Sequence, residues 1–214
     1  MTTTAKGDLS VTQASQGSWY HGFTQAATTK YWAAVARIAI GFVFLWAFLD
    51  KNFGLGYATP SEGAWQLGTG DGDPTFGFLK FGVASDSSLF FIPTGDFFTG
   101  LRPGEAPDPG YWTNWLFMAG LLGIGVALIL GVFTRIGAIS GAVLLMLMYL
   151  AEAPWHKVTL EDGTVEAANN PIMDDHVIYS VVMIMLILFT AERTLGLGKW
   201  WQSLEFVQRH PWLA

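Results

Sequence analysis

Apolar residues in this chain come in long blocks instead of alternating with polar ones. The first block runs from Tyr31 to Leu49 and is broken only by Arg37. The second, Trp115 to Phe133, carries no charge. The third, Ile136 to Ala151, lies between Arg135 and Glu152, and the fourth, Val177 to Ala191, lies between Asp175-His176 and Glu192-Arg193. Crossing the roughly 30 Å hydrocarbon core takes about 17–25 apolar residues in a helix, so each block predicts a span. The third and fourth reach full length by taking in flanking Thr, Pro and His, or by thinning the bilayer. Phe42, Phe44, Leu45, Trp46 and Phe48 surround the first helix on all sides, where a soluble amphipathic helix would keep a polar face. The expectation is an all-α membrane protein. A four-transmembrane-helix bundle over 31–191 follows a polar cytoplasmic segment, 1–30, and precedes a cytoplasmic tail, 192–214.

Composition agrees. The 214 residues are 51% hydrophobic and 13% charged, about half the charge of an average soluble domain. A disordered chain is excluded by that hydrophobicity. A net charge of −6 without a Lys/Arg run disfavours nucleic acid as a partner. Cysteine is absent, which removes thiol redox chemistry, Fe–S ligation and haem c attachment. The first 30 residues hold no apolar stretch resembling a signal peptide. With four spans, seven of the 11 Lys and Arg fall on the side of the termini and fourteen of the 17 Asp and Glu on the other. The positive-inside rule then places both termini in the cytoplasm of a cell (plasma) membrane protein.

The connections carry further signals. The Val132–Arg135 turn is short enough to force an antiparallel hairpin of helices two and three. Gly137 and Gly141 form a GxxxG pair, serving either a dimer interface or packing inside the bundle. The first outer loop, 50–111, holds 12 Gly, 6 Pro and 11 aromatic residues, which predicts an ordered, aromatic-rich extracytoplasmic cap. Leu89–Pro93 and Phe97-Phe98 read as an interfacial or re-entrant piece, and Ser61 as the start of a short helix. In the second outer loop, 152–175, Asp162-Gly163 predicts a hairpin between Lys157–Leu160 and Thr164–Glu166. Asp174 or Asp175 would cap the last span. Residues 199–209 read as one amphipathic interfacial helix, with Trp200, Leu204 and Val207 on its apolar face, lying on the membrane or docking a partner subunit.

Chemistry concentrates where helices end. Asp50-Lys51 closes helix one, Glu152 and His156 close helix three, and Asp175-His176 opens helix four, all at one rim. Carboxylate beside imidazole suits proton relay; the alternative is capping and anchoring. His176, Asp175 and Glu152 are the candidate catalytic residues. Asp50, Lys51 and His156, with Arg37, Trp46 and Trp155, are candidates for quinone binding, the two tryptophans flanking an aromatic headgroup. Arg37, about two turns into the first helix, either faces protein or water or snorkels to the headgroups. The spacing of His156, His176 and Glu152 fits no known zinc site, and the histidines lie outside the spans or at a rim, so neither metal nor haem is expected.

Several stretches resemble the DoxX/DoxD family of four-helix membrane proteins. They are Arg37-Ile-Ala-Ile-Gly-Phe-Val-Phe-Leu with Asp50-Lys51; Gly125-Val-Ala-Leu-Ile-Leu-Gly-Val-Phe-Thr-Arg135; Asn170-Pro-Ile-Met-Asp-Asp-His-Val-Ile-Tyr179; and Leu195-Gly-Leu-Gly-Lys-Trp200. The family includes the membrane subunit of thiosulfate:quinone oxidoreductase. The resemblance implies a membrane subunit of a redox system linked to sulfur compounds and quinone, with quinone as substrate and other membrane subunits as partners. The alternative is a non-catalytic accessory subunit of a larger respiratory complex.

Overall fold

The computed structural model describes residues 27–89, 91–159, 165–167, 170–188 and 193–213. Four helices dominate it: α1 (Ala27–Phe53), α3 (Trp112–Leu130), α4 (Thr134–Glu152) and α5 (Asp175–Leu188). Between α1 and α3 lie short turns of 3-10 helix, one π turn at Phe78–Gly82 and the six-residue helix α2 (Thr94–Thr99). Helices α6 (Gly198–Ser203) and α7 (Glu205–Arg209) follow the last long helix. Helices α1, α3 and α4 are long and apolar enough to cross a membrane; α5, with 14 described residues, is apolar but shorter.

The four long helices run up, down, up and down. Gly41 of α1 lies against Leu128 of α3, and Gly125 of α3 against Leu45 of α1. A Cβ on Gly125 would stand 2.7 Å from the Leu45 amide nitrogen, and one on Gly41 would stand 2.9 Å from Leu128 Cβ. These two glycines let the α1 and α3 backbones approach closely. Gly137 faces Ala127 of α3, and Gly141 faces Met183 of α5 and Ile124, so the GxxxG pair packs within the bundle. Ile40, Phe44, Met118, Leu121, Leu128 and Met183 form the core between the helices. Equally apolar side chains point outward, among them Phe42, Leu116, Ile139, Val143, Ile178 and Ile184. A bundle apolar both inside and outside suits a bilayer.

Gly131 ends α3 in the left-handed conformation, φ 74°, and its amide bonds Ala127 O at 2.9 Å. Only Gly131 to Phe133 separate α3 from α4, as the short turn requires. Residues 27–30 belong to helix α1, so the end of the segment expected to be polar and cytoplasmic is already helical. Residues 1–26 lie outside the description. A hairpin does form in the second loop, Lys157–Thr159 pairing antiparallel with Val165–Ala167; its expected Asp162-Gly163 turn falls outside the described residues. Ser61 opens a 3-10 turn, Ser61–Gly63.

The tail departs from its periodicity. The continuous helix expected over 199–209 breaks at Leu204, whose φ of −70° and ψ of 130° are extended. Ser203 Oγ donates to Trp200 O at 2.7 Å, competing with helical backbone bonding. The break rotates the second piece. Val207 and Leu213 are buried and Trp201 meets Phe133 at a tilt, ring centres 4.3 Å apart, whereas Trp200 faces out.

Candidate functional site

Helix ends, not helix interiors, bring the polar residues together. At one end of the bundle Asp174 precedes the first turn of α5. Its Oδ1 accepts the Val177 amide at 3.0 Å, which satisfies one of the helix's free N–H groups. Because that residue is still outside the helix, its side chain folds back over the first turn, and Oδ2 lies 2.8 Å from His176 Nδ1. Asp175 Oδ1 is 3.6 Å and Glu152 Oε2 3.9 Å from the same nitrogen. His176 is buried, Glu152 is exposed, and the Asp175 side chain is 72% exposed. One donor atom from each of Glu152, Asp174 and His176 lies within 4.8 Å of the others, near enough to share a proton or a cation.

The expected trio of His176, Asp175 and Glu152 therefore does converge, but its nearest carboxylate is Asp174 rather than Asp175. The signal was the Asp-x-His spacing at a helix start, where the capping residue reaches back to the second residue of the first turn. A carboxylate on Nδ1 fixes the ring's orientation and presents Nε2 for other contacts.

Asp50 and Lys51 end α1 at the same end of the bundle. Asp50 is 2% exposed. Its Oδ1 accepts the Tyr57 amide at 3.3 Å, and its Oδ2 has no hydrogen-bond partner among the described residues. A buried carboxylate oxygen without a partner is costly. The Lys51 carbonyl receives the Trp65 amide at 3.0 Å. Trp46 is half-buried and meets Tyr57 edge-on at 5.1 Å. Trp155 belongs to a different cluster, meeting Tyr149 at 5.6 Å and donating to Ser88 O at 3.2 Å. His156 follows it in the turn after α4, its amide bonded to Ala153 O at 2.7 Å.

Arg37 stands apart from all of these, at the opposite end. It is fully buried. Its Nη1 donates to Leu128 O at 2.6 Å, and its Nη2 to Thr194 O at 3.3 Å and to Leu195 O. Of the two readings of this arginine, the one facing protein holds. Gly131 and Gly196, both at positive φ, lie against the guanidinium, where a Cβ would intrude. The Leu197 amide bonds Leu130 O at 2.7 Å and closes the same junction.

A second polar cluster escaped the sequence reading. Asn114, fully buried at the start of α3, accepts from Thr75 N at 3.0 Å and Thr75 Oγ1 at 2.8 Å. It donates to Asp108 O at 3.0 Å. Asp73 accepts the Phe76 amide at 2.8 Å and the Asp108 amide at 2.9 Å, and Trp65 Nε1 donates to Pro109 O at 2.8 Å. These bonds pin the 54–111 segment to the mouth of the bundle.

No family model matches the chain, and comparison with curated proteins and with solved structures finds no match.

Proposed function

We propose that the chain is a DoxX-like integral membrane subunit of a redox system linking a sulfur compound to quinone, with its proton chemistry at the rim that holds His176. The observation that carries this reading is the buried imidazole with Asp174, Asp175 and Glu152 oxygens within 4 Å of Nδ1. Quinone reduction consumes protons, and an oriented imidazole with carboxylates beside it is equipped to deliver them. The buried Asp50 Oδ2, without a hydrogen-bond partner among the described residues, lies at the same end.

All four apolar helices cross the bilayer in this reading. His176 lies beside Glu152 at one end, while the Thr194 and Leu195 carbonyls meet Arg37 at the other. Between them, the 14 described residues of α5 rise about 21 Å. The Arg37 end, with both termini, faces the cytoplasm; the 54–111 segment forms an extracytoplasmic cap, and α6 and α7 lie at the cytoplasmic interface. Trp200, Phe206 and Trp212 are exposed there, as interfacial side chains are.

A second reading has its own observation. Asp174 caps α5 through Val177 N, so the rim also has a purely structural use, and a non-catalytic accessory subunit of a larger respiratory complex would retain it. Thiosulfate-driven quinone reduction, measured on the purified chain with its native partners, decides between the two. Turnover lost in His176→Ala with the fold intact supports the redox reading; turnover that survives supports the accessory one.

A further inference from the structure

A groove of about 690 Å³ opens on the outward face of α3 and α4, beneath the 54–111 segment. Its walls are apolar: Leu116 and Gly120 of α3, Ile139, Val143 and Leu147 of α4, and Phe98 from above. Gly120 makes the space, since a Cβ there would approach nothing nearer than Leu144 Cδ2 at 4.0 Å. Along α3 the groove extends from Trp112 to Ile124, about 18 Å at the helical rise. That is roughly the depth of one leaflet of a 30 Å core.

Two of the basic residues at this end adjoin the groove in sequence. Leu79 and Leu101 line the groove, and the next residue in each case is basic, Lys80 and Arg102. Both reach one carboxylate: Arg102 Nη2 is 3.2 Å and Lys80 Nζ 4.0 Å from Glu105. Two cations on one anion leave a local positive excess around Glu105, while the Asp73 carboxylate beside the groove's Thr75 is taken up by its own hydrogen bonds to Thr75, Phe76 and Asp108. Elsewhere the loops at this end are strongly acidic, and these two are half of their four basic residues. Lys80 Nζ also stands 5.2 Å from the Phe76 ring centre and 5.7 Å from that of Phe81, which is 79% exposed. An exposed aromatic beside a lysine belongs at headgroup depth.

We infer that this groove holds one acyl chain of an anionic phospholipid from the leaflet on the His176 side, with its phosphate on Lys80 and Arg102. Arginine takes a phosphate through paired N–H donors, and the apolar slot receives the chain. The inference rests on the membrane placement of α3 and α4 and not on the redox reading. A lipid so placed ties the 54–111 segment to the two helices beneath it.

Native mass spectrometry of the intact protein in mild detergent tests this, with phosphatidylglycerol or phosphatidylcholine of matched chains added. The wild type should retain one phosphatidylglycerol at least tenfold more strongly than phosphatidylcholine. Gly120→Leu, whose Cβ has room and whose side chain enters the groove, should weaken retention tenfold or more, and Ser140→Leu, on the groove wall, gives the same test should the first variant misfold. The double variant Lys80→Gln/Arg102→Gln should still hold lipid but lose the preference for phosphatidylglycerol. Equal retention of the two lipids by the wild type, unchanged retention in folded Gly120→Leu or Ser140→Leu, or a preference that survives loss of both cations would each overturn the assignment. So would a groove occupied by a second copy of the chain or by quinone.

Discussion

Arg37 Nη1 donates to the carbonyl of Leu128, 91 residues away, at 2.6 Å. The same guanidinium reaches the Thr194 and Leu195 carbonyls, so one side chain joins α1, the end of α3 and the segment after α5. Hydrogen bonds from a charged donor each contribute about 1.5–3 kcal/mol, and a buried carbonyl left without its donor costs about 1–3 kcal/mol. Arg37→Met should therefore destabilise the protein by about 3 kcal/mol or more, with Arg37→Lys falling between it and the wild type. Thermal unfolding in detergent measures this. A snorkelling arginine would give a change under about 1 kcal/mol.

Two glycines on α3 separate close packing from mere helix composition. Gly125→Ala would place a Cβ 2.7 Å from a backbone nitrogen of α1, and overpacking of that kind costs about 1–3 kcal/mol. A Cβ on Gly123 meets nothing within 4 Å. Gly123→Ala should be neutral or stabilising by up to about 1 kcal/mol, since alanine is the better helix former. In the same detergent the unfolding midpoint should fall in Gly125→Ala and hold or rise in Gly123→Ala.

Asn114 is the anchor of the 54–111 segment. Asn114→Leu removes three buried hydrogen bonds, from the Thr75 amide and hydroxyl and to the Asp108 carbonyl, and leaves those groups with only their weaker or single remaining partners, Asp73, Thr113 and the Tyr111 amide. The cost should be about 1–3 kcal/mol. Limited proteolysis should show faster cleavage between Leu67 and Pro109 in the variant, while the helices stay protected.

Membrane orientation can be read without background labelling, because the chain has no cysteine. Single cysteines introduced at Ser203 and at Asp71 should respond oppositely to an impermeant maleimide on intact cells. Asp71→Cys should label and Ser203→Cys should not. The reverse pattern would invert the topology, and labelling of both would remove α5 as a span.

Much of the helical framework was legible because length and hydropathy are properties of a single segment. The blocks at Tyr31–Leu49, Trp115–Phe133 and Ile136–Ala151 became α1, α3 and α4, with boundaries displaced by up to four residues. Part of the fourth became α5, of which 14 residues are described. What Arg37 bonds was illegible, since its partners are backbone carbonyls that any residue type could supply. Asn114 was hidden for a related reason, as a single amide near the end of an apolar run resembles a surface residue until the loop folds over it. The rim residues shared helix ends and so could be grouped from the sequence, but the choice of Asp174 over Asp175 depends on where α5 begins, to the residue. In the tail, periodicity put Trp200, Leu204 and Val207 on one apolar face, but it carried no sign of the break at Leu204, which leaves Trp200 exposed and Val207 buried.

Thiosulfate-dependent quinone reduction by wild type, His176→Ala and Asp174→Asn is the measurement that bears most directly on the redox account. Asparagine at 174 keeps an oxygen for the Val177 amide, so the cap and the unfolding midpoint survive, but it removes the carboxylate that faces His176 Nδ1 at 2.8 Å. The account predicts no turnover in His176→Ala. In Asp174→Asn it predicts a loss of about ten- to a hundredfold, the scale on which such orienting partners act. Full activity in both folded variants, or no quinone reduction by the wild type with its native partners, would contradict it.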